Sequence, residues 1–165
     1  MRTSAPTRVH PRTSGLRALV GGLAVAALAA IPVTAGALEP AAKSGATVKV
    51  KLFEFQVKPK PKFATAGTVR FKVKNIGTEK HEFVVVKSDG TELPLLPDGS
   101  VDEEAIPEAD KFGEVEDLKP KKSGSLTVKS LPAGDYVLFC NIVEDMSGTT
   151  MVHYAEGMHT DFTVG

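Results

Sequence analysis

The feature that most constrains this chain is an apolar alternation of period two that recurs from residue 48 onward. Val48, Val50 and Leu52 alternate with Lys49 and Lys51. Val69, Phe71 and Val73 alternate with Arg70, Lys72 and Lys74, and Leu126 and Val128 with Thr127 and Lys129. Neighbouring side chains of an extended strand point to opposite faces, so each run has one apolar face and one basic face. This is the pattern of half-buried strands in an antiparallel sheet, with the lysine face in water, where it also discourages edge pairing. Turn signals separate the runs: Pro59-Lys60-Pro61, Ala66-Gly67, Asn75-Ile76-Gly77, Asp89-Gly90, Ser123-Gly124 and Pro132-Ala133-Gly134-Asp135. Further strands are predicted over residues 82–87, 135–140 and 160–164. Short strands at turn-punctuated spacing, with almost no helical periodicity, predict an all-β fold built as a β-sandwich.

Residues 91–118 break this rhythm. They lack strand alternation and are dense in acids, from Glu92 and Asp98 to Glu116 and Asp117. Ser100-Val101-Asp102-Glu103 resembles a capping box, which predicts a short helix over 101–106 ended by Pro107. A solvated surface insertion is the simple reading of such a segment; an acidic patch that steers a basic partner is the functional one.

The start of the chain reads differently from the rest. Arg2, Arg8, Arg12 and Arg17 form a basic head without acids, an uncharged run follows from Ala18 to Leu38, and Ala35-Gly36-Ala37 ends it with small residues. This is the pattern of a secretory signal peptide over residues 1–37, followed by a linker over 38–45 and one domain over 46–165. Retention of the same segment as a membrane anchor is the alternative. No twin arginine is present, which favours general secretion over folded export. The whole chain balances 20 basic against 20 acidic residues, so loss of the four arginines leaves a mildly acidic remainder. That excludes nucleic acid as a natural partner and suits an exported, soluble monomer in a periplasmic or extracellular setting.

An exported domain with one cysteine is unusual, because oxidising compartments favour paired cysteines. Cys140 is therefore a buried apolar residue, an intermolecular partner or a metal ligand. It closes the run Gly134-Asp135-Tyr136-Val137-Leu138-Phe139, which is apolar on both strand faces and so is buried on both sides or enclosed at its end. Soon after it come His153 and Met158, and His81 stands between the Asn75-Ile76-Gly77 turn and the run Phe83-Val84-Val85-Val86. Thiolate and thioether suit Cu(I), and imidazole suits either oxidation state. Two His and one Cys with a weak axial Met is the established donor set for copper electron transfer. His159 adjoins Met158, begins the last predicted strand and is read as exposed.

With these residues in place the chain resembles the cupredoxin family of blue, type 1 copper proteins, which includes plastocyanin, azurin and small exported bacterial relatives. The resemblance rests on Asn75-Ile76-Gly77 with His81-Glu82-Phe83, on Gly134 to Cys140, and on His153-Tyr154-Ala155-Glu156-Gly157-Met158. It spans about Ala46 to Gly165 and implies a Greek-key sandwich with one copper ion near one end, held by His81, Cys140, His153 and Met158. It also implies that Asn75 helps to order the site. One departure stands out: twelve residues separate Cys140 from His153, where the family has a much shorter spacer. That loop adds Met146 and Met151, soft donors that compete with Met158 or take up Cu(I) themselves.

The resulting expectation is a non-enzymatic, exported protein passing single electrons through one copper ion to a redox partner protein. The alternatives are an extracytoplasmic carrier or store, with a Cu(I)-preferring Met/His site and a copper donor or acceptor as partner, and a metal-free β-sandwich binding module. A membrane enters only if the N-terminal segment is kept.

Overall fold

The computed structural model describes residues 45–165 except Ser147. The expected leader over 1–37 and nearly all of the linker over 38–45 lie outside the described residues, as does the side chain of Met146. In chain order the strands are β1 (Ala46–Phe53), β2 (Gln56–Lys60), β3 (Phe63–Ala64), β4 (Gly67–Asn75), β5 (His81–Lys87) and β6 (Lys111–Leu118). They continue with β7 (Ser123–Leu131), β8 (Gly134–Phe139), β9 (Val143–Met146), β10 (Thr149–Val152) and β11 (His159–Val164).

Two sheets form the sandwich. One has the order β2-β1-β4-β7, the other β3-β11-β8-β5-β6, and β9 and β10 make a separate hairpin. The alternating residues do what their period requires: Val48, Val50 and Leu52 from β1 and Val69, Phe71 and Val73 from β4 are all buried between the sheets. Phe71 spans the two layers, its ring 5.4 Å from Phe83 on β5 and 5.6 Å from Phe162 on β11. Each such fully buried side chain contributes about 1.5–3 kcal/mol. Tyr136 is buried in the same core and closes the turn before β8 by donating its hydroxyl to the Pro132 carbonyl at 2.7 Å.

Several sequence expectations need correction. The sheets are mixed, because β1 pairs parallel with β4 and β3 parallel with β11. Alternation is the same for either strand direction. The direction follows from the connection: between β1 and β4 the chain detours through β2, on the other edge of β1, and β3, in the opposite sheet. The Pro59-Lys60-Pro61 turn signal lies partly inside a strand. β2 is an edge strand, where a proline costs no ladder bond on its open side, and Pro59 is buried opposite Val50. β6 was hidden for another reason. Its pairing with β5 slips at two places, and Gly113 and Asp117 carry positive φ, so its inward residues fall out of period two.

The expected helix over 101–106 is two separate 3-10 turns, Glu103–Ala105 and Glu108–Asp110. Ser100 spends both its N–H and its hydroxyl on Asp98, so Asp102 takes over as cap and accepts from the Ala105 N–H. Nor is the acidic segment merely solvated. Leu93, Val101 and Ile106 close over Val84, Val86, Val137 and Phe139 on the outer face of the five-stranded sheet. This second small core is why β8 is apolar on both faces.

Candidate metal centre

Each candidate side chain is delivered by a local structure the sequence can be seen to build. His81 opens β5 directly after a turn that Asn75 holds together. The Asn75 amide is fully buried, donates to the carbonyls of Glu79 and Leu118 at 2.7 and 2.8 Å, and accepts from the Gly77 N–H at 2.9 Å. Glu54 braces the turn from outside by accepting from the N–H groups of Thr78 and Glu79. A Cβ on Gly77 would meet that carboxylate, so a larger residue there would push Glu54 out of its place against the turn.

Cys140 follows the last residue of β8 and is fully buried. Its N–H donates to the Met158 carbonyl at 3.0 Å, and the Met158 N–H donates to the His153 carbonyl at 2.9 Å. These two bonds tie three candidate ligands into one backbone unit. The twelve-residue spacer does not disturb it. Residues 143–152 leave as the β9–β10 hairpin, with Val143 opposite Val152, and the His153 N–H closes its base on the Ile142 carbonyl at 2.9 Å. Across that base only Asn141 and Ile142 lie between the cysteine and the histidine. The expected loop is thus a self-contained hairpin, and the spacing at the site is short.

The side chains converge. His81 Nδ1 and His153 Nδ1 are 3.3 Å apart, and Cys140 Sγ is 3.4 Å from His153 Nδ1. The three donors lie within 4.8 Å of one another, and all three residues are fully buried. Met158 is fully buried in the same core cluster as Cys140. His159 lies apart, exposed and stacked on Tyr154 at 4.5 Å. Met151 is half-buried on β10 opposite Glu144.

Burial keeps the donors uncharged in the absence of a cation. It pushes the Cys140 thiol up to about 12, although the backbone N–H groups of Glu82 and Ile142 work against it. The Glu82 N–H points at the sulfur from 3.4 Å. Burial also lowers His81, helped by the facing His153 and opposed by Glu54. It lowers His153 as well, against the carboxylates of Glu144, Glu79 and Glu54. A thiol sulfur and two imidazole nitrogens crowd together there in a buried space. One cation would take all three lone pairs. The donor chemistry, soft sulfur with borderline nitrogen, fits copper.

Three acidic residues that sequence reasoning missed surround the imidazoles. Glu54 Oε1 is 3.6 Å from His81 Nε2, and Glu79 Oε2 is 3.8 Å from His153 Nε2. Glu144 on β9 joins Glu79 and His153 within 4.8 Å. No local signal marks them: Glu54 sits beyond a strand end, Glu79 in a turn and Glu144 in an apparent loop. Asn141, also missed, accepts from the Val101 N–H, donates to the Val101 carbonyl and Glu103, and so fastens the cysteine loop to the acidic cover.

Fold and donor set define the class, a β-sandwich with a buried His-Cys-His-Met cluster consistent with one type 1 copper site. The family model for the cupredoxin-like domain matches residues 23–152, and the chain belongs to that family. No curated protein sequence matches it. Among solved structures it is similar to a dithionite-reduced auracyanin from the photosynthetic bacterium Roseiflexus castenholzii, with TM-score 0.50 and 23% identity over 73% of this chain and 99% of that one. Auracyanin A from Chloroflexus aurantiacus, described as a "blue" copper protein, gives TM-score 0.47 and 17% identity over 74% and 100% of the two chains. Rusticyanin from Thiobacillus ferrooxidans gives 0.46 and 20% over 74% and 79%. These likenesses concern the fold.

Proposed function

We propose that this chain is an exported one-electron carrier that binds a single copper ion through His81, Cys140, His153 and Met158. The observation that carries the reading is the convergence of the two Nδ1 atoms and Sγ within 4.8 Å, in residues with no exposure to water. Copper held by these four residues would supply a Cu(I)/Cu(II) couple that stores one electron. The protein supplies a rigid frame, since the sandwich and the His153–Met158–Cys140 backbone bonds resist rearrangement when the charge changes. The Glu82 N–H adds a hydrogen bond that supports a thiolate.

Burial also separates this reading from its rivals. A copper carrier must surrender its ion and a catalytic metal keeps an open position, whereas here the chain's own four donors are all enclosed. A metal-free module gives no purpose to buried Glu79 Oε2, His81 Nε2 and His153 Nε2, which are unpaired among the described residues. The partner we infer is a redox protein with a basic face, drawn to the acidic segment over residues 91–118, and the chain acts as a monomer in the periplasm or outside the cell.

The test is to load the protein with one equivalent of Cu(II) and record its visible absorption and EPR. An intense thiolate-to-copper band with small copper hyperfine coupling, lost in Cys140→Ser, is expected. A Cys140→Ser variant that keeps the band would sink the assignment.

A further inference from the structure

The two imidazoles use one nitrogen each at the cluster and leave the other nitrogen buried. Among the described residues, His81 Nε2 and His153 Nε2 have no hydrogen-bond partner. A neutral imidazole that binds metal through Nδ1 carries its proton on Nε2, so the copper reading turns both orphan nitrogens into donors in need of acceptors. Each faces a carboxylate, Glu54 at 3.6 Å and Glu79 at 3.8 Å. Glu79 Oε2 is itself a buried acceptor without a donor among the described residues, so the orphan on one side matches the orphan on the other.

Resting on that copper reading, we propose that Glu54 and Glu79 are positioning residues. They accept the outer N–H protons of His81 and His153 as a pair of carboxylate–imidazole hydrogen bonds and thereby bias the bound copper toward Cu(II). The two arms are mechanically linked. Glu54 also accepts from the backbone N–H of Glu79, so the residue that orients the first histidine fixes the backbone of the residue that orients the second. Asn75 holds the same turn from inside through the Glu79 carbonyl. A carboxylate accepting from Nε2–H locks the tautomer, raises the basicity of Nδ1 and places negative charge behind the ligand. The last two effects favour the more highly charged ion, and the first readies Nδ1 for either. Glu144, close to Glu79 and His153, adds to the negative field.

The experiment compares Glu54→Gln, Glu79→Gln and the double variant with wild type, all copper-loaded, with the exposed Glu156→Gln as control. Glutamine retains an acceptor oxygen, so each change removes charge while a hydrogen bond remains possible. The thiolate band should persist, and the ratio of Cu(II) to Cu(I) affinity should fall about tenfold per substitution, a rise of about 59 mV in potential for a one-electron couple. Glu156→Gln should leave the potential unchanged. In the Cu(I) form, proton NMR of wild type should show two slowly exchanging imidazole N–H resonances, each shifted by the matching substitution. Unchanged potentials in both variants, or absence of those resonances, would overturn the proposal while leaving the copper reading intact. Uptake of a second metal equivalent that depends on Glu144 would also overturn it, because Nε2 of His153 would then be a ligand and not a donor. Failure of wild type to show the band sinks the copper reading itself.

Discussion

Glu82 offers a test of the electrostatics behind the cluster in the metal-free protein. It follows His81, its N–H points at Cys140 Sγ, and its Oε1 accepts from the Asn141 N–H at 2.7 Å. Burial raises its carboxyl from 4.5 to about 7, with Glu103, Glu114 and Glu116 adding to the rise and the Asn141 N–H opposing it. A carboxyl raised by folding holds its proton more tightly in the native state. Stability therefore falls as pH climbs from about 4.5 to about 7 and levels off above. At full strength the shift from 4.5 to about 7 is worth roughly 3 kcal/mol. Glu82 is only half-buried, and screening by water reduces this to about 1–2 kcal/mol. Glu82→Gln keeps an acceptor for Asn141 and removes the charge. Urea unfolding at pH 5 and pH 8 should show the variant gaining about 1–2 kcal/mol over wild type between the two. The lowered His81 and His153 act in the opposite sense, stabilising the fold as pH rises toward 6.5. They are present in both proteins and cancel in the difference. A difference that stays flat within about 0.3 kcal/mol across this range would refute the reasoning.

Three further outcomes are expected. Loading Cu(II) at pH 8, where Glu82 is already ionised, should release one proton, from Cys140, because its thiol is pushed up to about 12 while both histidines are neutral. Copper affinity then rises about tenfold per pH unit near neutrality, and a pH-stat titration releasing no proton contradicts this. Asn141→Ala should cost about 1–3 kcal/mol and speed amide exchange at Val101, whose N–H it accepts; unchanged exchange would show that the cover is held by packing alone. Ile106→Ala should destabilise the fold by about 2–4 kcal/mol in thermal or urea unfolding without altering the copper spectrum, because the residue belongs to the outer cluster and not to the core around Cys140.

Strands with a regular register were legible in the sequence. Val48 to Leu52 and Val69 to Val73 are buried at the positions their alternation marks, and β5, β8 and β11 fall within a residue of their predicted limits. Where register slips, as in β6, the period is lost and the strand with it, whereas β2 keeps its alternation, with Val57 and Pro59 inward, and was hidden by prolines that read as a turn. The four donors were legible for a chemical reason: soft sulfur and imidazole in that order, near strand ends, have few other uses. The acidic cover misled because its surface residues outnumber the three that anchor it, Leu93, Val101 and Ile106.

By itself, then, the sequence determined which faces are buried, that the chain is a β-sandwich, and which side chains offer donors for copper. These depend on the character of each residue and its nearest neighbours. Only the tertiary structure decided that β1 and β4 run parallel, and that a twelve-residue spacer closes at its base into a short one. It alone set Glu54 and Glu79 behind the two histidines. Each of those is a pairing between segments far apart in the chain. It is selected by how the whole core closes, and no periodicity along one segment records it.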